Sequence, residues 1–552
     1  MTARREVLRL GLGAVALAGA PRRARAGALP AIRVDQLGYR PGDRKLALVA
    51  ASPSAFAVRE ATGGWVVLEG AGLAVGARDR GADERVAVLD LSALTAPGQY
   101  VVTAPGAVPS PPFRIAEDVY ADPLRTVLAS FGFQRCGAAV GGGLPWSHAP
   151  CHLDDAAPWG GGARRDATGG WHDAGDYGKY VPPAALTLWH LAALQEPPRR
   201  ASPALLAEMR WELDWLVRMQ RDDGAVHHKV GPARWTADRP PDRDPERRYL
   251  FGVSSAATAG FTAVAAQAAR LFEAADPAYA RRLLERAEAG WRWLLRQPGN
   301  VPPGGFENPP GVDGSGAYGD RDDGDERFWA AVELWRATGD ARYRPAVLAA
   351  LARGGAFEAP ASWENVRPVA ALSLLASGSP LGGEARARLA AELLAWASGL
   401  GGLVGGGGYR VALRPDEYYW GSNGLALERA VALLAAHRET GRGEFRDWAL
   451  DQLHYVLGRN ALGKSFVTGL GADPPRRPYH QPSLTNPRGV VVPGLVVGGP
   501  NAASARLKGA PPARAYRDDD RLYEVNEPSI YWTAALAHVL AALQPDSAGA
   551  RS

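Results

Sequence analysis

The sequence predicts a mainly α protein in two parts, a small β-sandwich followed by a much larger domain of paired helices. Three observations carry that prediction. The 552 residues exceed what one hydrophobic core usually serves. Up to about Ile115 the chain reads as short β-rich runs between turns, and from about Asp118 as Ala- and Leu-rich segments with a 3.6-residue period. A hydrophobic content of 46%, with 66 Gly and 44 Pro, describes a globular chain with many loops rather than a disordered one.

Residues 1–26 form the first element, with a basic start, an apolar run from Leu8 to Ala20 and a small-x-small ending at Ala24 and Ala26. The run is too short to span a bilayer, and Arg4 and Arg5 before Glu6, Val7 and Leu8 resemble a twin-arginine export leader, which implies a periplasmic or secreted protein. A disordered basic tail is the alternative. The leader takes six arginines and one glutamate from the 63 basic and 58 acidic residues, which leaves a formally neutral remainder. Nothing in that remainder provides the basic stripe a nucleic acid or an anionic membrane surface requires, so a neutral ligand and a monomer are expected.

The second element, residues 30–116, contains the runs KLALVA, AFAVRE, WVVLEG, RVAVLDL and GQYVVTA between Gly, Pro and Asp turns. Its roughly 85 residues fit an immunoglobulin-like β-sandwich, with GAVPSPPF as its last turn. Residues 118–545 hold eleven segments of helical period, from DPLRTVLASFGFQRC to SIYWTAALAHVLAAL. In one of them Trp211, Trp215, Leu216 and Met219 share a face, and the Gly of RDDG supplies a stop. Loops as long as GGGLPWSHAPCHLDDAAPWGGGARRDATGG do not suit a simple bundle, whereas an α/α toroid of two concentric rings accommodates them. Two smaller helical domains are the alternative.

Within that domain TGGWHDAGDYGKYV, residues 168–181, sets Asp173 and Asp176 three residues apart among glycines and aromatic rings. Such a pair serves as a helix cap, as calcium ligands or as a base that activates water. A second acidic and aromatic cluster, YRDDDRLYEVNEPSIYWTAA, residues 516–535, carries Glu527 just before the last helix, where it either caps the helix or acts as an acid. Two distant carboxyl clusters are what glycoside hydrolysis needs, one acid for the leaving oxygen and one base for water.

Taken in order, GGWHDAGDYGKYV, GRNALGKSFVTGLG, PYHQPS, VPGLVVGGPN and YEVNEPSIYW resemble glycoside hydrolase family 9, the inverting cellulases, over residues 118–543, and the β-module resembles the immunoglobulin-like domain of one branch. The resemblance implies an (α/α)6 barrel and an endoglucanase-type enzyme cleaving β-1,4-glucosidic bonds. Asp176 matches the general base, Asp173 the partner that holds the attacking water, Glu527 the general acid, and Asp518 a supporting aspartate. Inversion places base and acid about 6.5 to 9.5 Å apart, with room for water. The family's sugar-binding His-x-Arg stands here as Tyr479, His480 and Gln481, with His480 one position offset, and Thr533 replaces an asparagine.

The only cysteines are Cys136 and Cys151. In an exported protein they could pair as a disulfide, but with His152 and His172 they also make a closed zinc set, which the same branch of the family places at these positions. His148 is the competing imidazole. The acidic run YGDRDDGDERFWAA, residues 318–331, reads either as a solvated helix start or, by the resemblance, as a calcium site of Asp322, Asp325 and Glu326 with Asn365. Trp420 and Tyr177 are the expected sugar-stacking rings, while most of the 17 tryptophans must be packing residues. The rivals are an exo-acting β-glucosidase or β-glucosaminidase on short oligosaccharides, and a non-catalytic carbohydrate-binding protein.

Overall fold

Period-two alternation builds the N-terminal layers. The computed structural model describes residues 32–51, 53–71, 75–195, 202–235 and 238–544; the expected leader, residues 1–26, lies outside them. Nine strands follow: Ile32–Arg33 (β1), Gly38–Tyr39 (β2), Leu46–Val49 (β3), Ala55–Glu60 (β4), Val66–Ala71 (β5), Val75–Asp79 (β6), Glu84–Asp90 (β7), Gly98–Thr103 (β8) and Phe113–Ile115 (β9). They form one sheet in the order β1-β3-β7-β6 and another in the order β2-β9-β8-β4-β5, antiparallel except for the β2–β9 pair. Val58, Tyr100 and Val102 of one sheet meet Val49, Ala87 and Leu89 of the other in a dry core. The five sequence runs are β3, β4, β5, β7 and β8. Strand β9 comes after the Pro-rich turn, so GAVPSPPF is not the end of the module.

The helical part comprises Ala121–Phe133 (α1), Val181–Ala193 (α2), Pro203–Met219 (α3), Ser255–Phe272 (α4), Pro277–Arg296 (α5), Gly324–Thr338 (α6), Arg344–Ala352 (α7), Arg367–Leu375 (α8), Gly383–Gly406 (α9), Ser422–Thr440 (α10), Gly443–Val456 (α11), Gln481–Thr485 (α12), Tyr523–Asn526 (α13) and Ile530–Ala542 (α14). Local chemistry sets their ends. Ser202, Ser254 and Asp276 cap α3, α4 and α5 by accepting from Leu205 N, Ala257 N and Tyr279 N, and Pro203 and Pro277 occupy first-turn positions where no amide is needed. Gly339 and Gly441 end α6 and α10 in the left-handed conformation.

Two classes of helix result. α2, α4, α10 and α14 are buried on nearly every side, whereas α5 buries a single stripe, including Leu283, Ala287, Gly290 and Leu294. α9 is long and apolar enough to cross a bilayer by composition, but its buried stripe, Leu389, Leu393, Ala397, Leu400 and Val404, is used against α8, α10 and α11. The buried helices contact one another, α2 with α4 and α14, α4 with α6, and α10 with α14. Short strands Lys179–Tyr180 (β10), Val226–His227 (β11), Lys229–Pro232 (β12), Arg248–Leu250 (β13) and Val253–Ser254 (β14) cross the loops between them.

The β-module is joined to α11 and its following loop by polar groups. Gln36 donates from Nε2 to Gly463 O at 2.7 Å and accepts at Oε1 from Asp473 N at 2.9 Å, while Asp35 Oδ2 meets His454 Nδ1 at 2.7 Å. Burial pushes the Asp35 carboxyl up to about 8. Next to it Asp451, itself buried, takes Arg44 at 2.6 Å, Arg410 at 3.1 Å and also Arg459. Removing that common partner leaves the buried Arg459 guanidinium uncompensated, so Asp451→Ala is expected to cost about 3 to 5 kcal/mol, read as a lower unfolding midpoint by calorimetry; an unchanged midpoint would contradict a structural role for the network.

Candidate active site

The loop from Trp171 to Tyr180 leads into α2 and is held on all sides by backbone bonds. His172 N donates to Gln134 O at 2.7 Å, Asp173 N to Gly178 O at 2.9 Å, Ile530 N to Asp173 O at 2.9 Å and Gln481 N to Gly175 O at 2.9 Å. Gly175 is required by close approach, since an added Cβ would stand 1.8 Å from Tyr479 O. Its amide donates to Glu527 Oε1 at 3.2 Å. Glu527 itself sits between α13 and α14, where Val497 bridges to Pro528 and Gly498 N donates to the Glu527 carbonyl at 2.9 Å.

Asp173, Asp176 and Glu527 therefore line one cavity of about 650 Å³, walled by Trp235, Trp363, Tyr419, Trp420, Tyr531 and Trp532. Three carboxyl groups in one wall cannot all keep their solution acidity. Burial raises Asp176 to about 6, opposed by the Gly178 amide and by the cations of Arg248 and Lys229. Burial takes Asp173 to about 8 despite its bond from the Tyr318 hydroxyl at 2.7 Å, and its other oxygen has no protein partner. Glu527 is raised well above the usual range by burial and by the charges of Asp176 and Asp173.

The sequence did not single out Tyr318 or Lys229. Tyr318 has a left-handed backbone, φ 51°, unusual for an aromatic residue, and is held there by its bond to Asp173 and by packing on Tyr180 and Trp363. Lys229 donates to Asn308 Oδ1 at 2.5 Å, Ser315 Oγ at 2.9 Å and Gly316 O at 2.6 Å, which ties down the segment that leads to Tyr318. Lys229 stands in the short VHHKVG stretch, which has no apolar alternation to mark it as buried.

Of the expected sugar contacts, Trp420 lines the cavity and is 45% exposed. Tyr177 does not line it: buried, with its hydroxyl donating to Arg239 O, its ring lies 4.9 Å from that of His172 and 5.3 Å from that of His152. The expectation that it stacks on sugar is corrected: its hydroxyl is bonded to Arg239 O and its ring packs on His152 and His172. Tyr479, His480 and Gln481 stand behind the cavity wall. His480 is bonded to Ser483 Oγ at 2.7 Å and Gln134 Oε1 at 2.9 Å, burial pushes its imidazole down to about 3, and the offset does not return a donor to the cavity. Gln481 is buried against the Tyr479 side chain. Asp518 accepts from Arg476 N at 2.8 Å and Arg477 N at 3.0 Å and contacts Asn526, so it buttresses the turn before Glu527 without reaching the cavity. Thr533 is likewise buried, donating to Ser529 O.

Beside the loop from Trp171 to Tyr180, Cys136, Cys151, His152 and His172 offer donor atoms within 4.8 Å of one another, and both cysteines are free and buried. His152 Nδ1 lies 3.6 Å from Cys136 Sγ and 3.2 Å from His172 Nε2, close to the roughly 3.4 to 3.8 Å that a tetrahedral zinc shell imposes on its donors. The other His152 nitrogen meets Asp244 at 3.2 Å, the outer carboxylate that fixes a ligand's tautomer. His148 is outside this group and bonds to Ala149 O.

A second group that could hold a cation is Asp320, Asp325 and Glu326. Glu326 is raised well above the usual range by burial and by the neighbouring Asp325 and Asp320, with the Asp325 carboxyl in hydrogen-bond contact. Asp322 lines the same hollow but is exposed and accepts from Gly324 N, and Asp320 rather than Asp322 completes the group of close donor atoms. Asn365 borders the same hollow, with its amide donating to Pro360 O at 2.9 Å.

Comparison with known proteins agrees with this geometry. Residues 120–540 match glycosyl hydrolase family 9 and residues 28–108 the cellulase N-terminal ig-like domain. Endoglucanase D of Acetivibrio thermocellus is 33% identical, over 92% of this chain and 83% of its own. A metagenome-derived family 9 endoglucanase is 38% identical with a TM-score of 0.86, over 93% of this chain and 98% of that one. The zinc-binding triple mutant of the family 9 endoglucanase J30 is 37% identical with a TM-score of 0.84, over 92% and 100%. With its family pattern spanning most of the chain and three carboxyl groups facing one aromatic-walled cavity, the chain belongs to glycosyl hydrolase family 9, with an immunoglobulin-like domain ahead of its helical domain.

Proposed function

We propose that this protein is an endoglucanase-type hydrolase that cleaves β-1,4-glucosidic bonds with inversion, using Asp176 as base and Glu527 as acid. The division of acidity across the cavity supports the reading. Asp176, at about 6 and faced by Lys229 and Arg248, is the carboxylate available to take a proton; Glu527, beside two other carboxyl groups, keeps its own. Asp173 and Tyr318 hold a water against Asp176. The water oxygen bonds to the anomeric carbon, Asp176 takes its proton, the glycosidic C–O bond breaks and Glu527 protonates the departing oxygen. All three carboxyl groups stand on one cavity, which disfavours a non-catalytic binding protein, and no observation favours exo action.

The same reading divides the chain into residues 30–116 and 118–545 and closes the helices as an (α/α)6 barrel, consistent with fully buried inner helices and outer ones that bury one face. Residues 1–26 read as the leader of an exported, monomeric enzyme. Cys136, Cys151, His152 and His172 would hold zinc, which, when bound, supplies a rigid clamp and no chemistry. Asp320, Asp325 and Glu326 would hold calcium, whose charge offsets their mutual repulsion.

Asp176→Asn and Glu527→Gln are each expected to lower kcat on β-1,4-glucan at least about 10³-fold without changing the thermal midpoint, and the first product seen by NMR should be the α-anomer; near-normal turnover or a β-anomer would refute the assignment. Because burial raises Asp176, its base form is lost as pH falls, so kcat/KM should drop below about pH 6; on the alkaline side it should drop only where Glu527 deprotonates, well above the usual glutamate range. An acid limb near 4 in the pH profile would contradict this. Metal analysis should return about one zinc per chain, lost in Cys151→Ser together with a lowered thermal midpoint. A Cys136–Cys151 disulfide in the native protein would remove the site.

A further inference from the structure

Two carboxyl groups lining the cavity, Glu364 and Glu428, have no part in the hydrolytic scheme, and of these Glu428 is the buried one. Gly421, Gly424, Leu425 and Glu428 follow at three- and four-residue steps along the start of α10, so they share one face, and all four line the cavity. At Gly424 an added Cβ would stand 2.0 Å from the Trp532 ring, so that ring packs directly on the helix, and Glu428, one turn further along, is buried. Glu428 Oε1 meets His190 Nε2 at 2.8 Å, and His190 Nδ1 lies 3.2 Å from His538 Nδ1. The three buried side chains stand on α10, α2 and α14, helices that pack together. A carboxylate has no proton to give, so His190 donates through Nε2, and His538 holds that ring in place.

A buried hydrogen bond that only joined helices would not need to face the substrate cavity. Among the described residues, the charged side chains lining it are Asp173, Asp176, Glu364, Glu428 and Glu527, and no lysine, arginine or histidine is among them. Such a wall accepts hydrogen bonds more readily than it gives them, and a neutral sugar presents a hydroxyl donor at nearly every ring carbon.

We propose that Glu428 is a substrate-recognising residue whose carboxylate, aimed by His190 and His538, accepts a hydrogen bond from one ring hydroxyl of the glucan unit held in the cavity. This rests on the hydrolase reading and adds to it a determinant of sugar specificity. The test compares the full-length enzyme with Glu428→Gln, which keeps the shape and leaves an oxygen for His190. Substrates are an aryl cello-oligoside and a series of analogues each lacking one hydroxyl. For the parent substrate, kcat/KM should fall about 10- to 100-fold, as expected for loss of a hydrogen bond to a charged group. For one deoxy analogue the two enzymes should be equal, because its missing hydroxyl already removes the bond, while the remaining analogues keep the full difference. The comparison between substrates does not depend on how much of the variant is folded. Should Glu428→Gln not fold, Glu428→Asp, which withdraws the carboxylate by one methylene, is read in the same way. A uniform ratio across the series, or an unchanged kcat/KM, overturns the proposal. Absence of turnover of the parent substrate by the wild type would instead overturn the hydrolase reading, and this inference with it.

Discussion

Two segments 352 residues apart must bring carboxyl groups to one buried point, and the Gly175 amide donating to Glu527 is the contact that joins them. Its geometry admits no side chain at position 175, because the Tyr479 carbonyl already occupies that space. The loop is also bound to the last helix through the Asp173 carbonyl and Ile530, and to the first residue of α12 through Gly175 and Gln481. The catalytic loop is thus a hub on which three stretches of chain converge. Displacing it would move the proposed base and acid relative to each other, and a shift of about 1 Å in such a pair is enough to cost two orders of magnitude in rate.

Crowding acidic groups is destabilising by itself, and the surroundings show how it is offset. Lys229 and Arg248 approach from β12 and β13, adjacent strands of one small sheet, and both lower Asp176. Nothing comparable lowers Glu527 apart from the Gly175 amide. The asymmetry between acid and base comes from which side of the cavity the cations are on, not from the carboxyl groups themselves. Lys229 feels the same burial from the other side, which pushes its ammonium down to about 7. The cation that favours the base is strongly held only while its acceptors at Asn308, Ser315 and Gly316 remain in place.

Much of this was legible in the sequence, for reasons that differ between elements. The eleven helical segments were readable because burying one face leaves a period in the apolar residues, while burying all faces leaves a long Ala- and Leu-rich run. α7 was missed because its RPAVLAALA stretch buries only Val347 and Ala350 and has no stripe to detect. β10 to β14 were missed because strands of two to four residues are too short to alternate visibly. Asp173, Asp176 and Glu527 were readable from ordered motifs, but the inward or outward direction of their neighbours was not. Tyr177 and His480 are chemically suited to sugar, and local backbone bonds turn both into the interior. Asp320 was passed over for Asp322 because the spacing of acids in DRDDGDE does not say which one the helix start exposes.

The two candidate metal groups have the same relation to the cavity. His172 directly precedes Asp173, and Asp320 lies two residues after Tyr318, which bonds to Asp173 from the opposite side. A cation at either place would therefore act on the same carboxyl group, once through the backbone and once through a phenol. Both groups also include a residue that costs the fold something without an ion. His152 has a left-handed backbone at φ 50°, and Glu326 is buried among other carboxyl groups. Those costs are local and the constraint they would support is shared: a catalytic loop whose glycines allow close approach has little rigidity of its own, so its stiffness must be supplied from outside, on both faces.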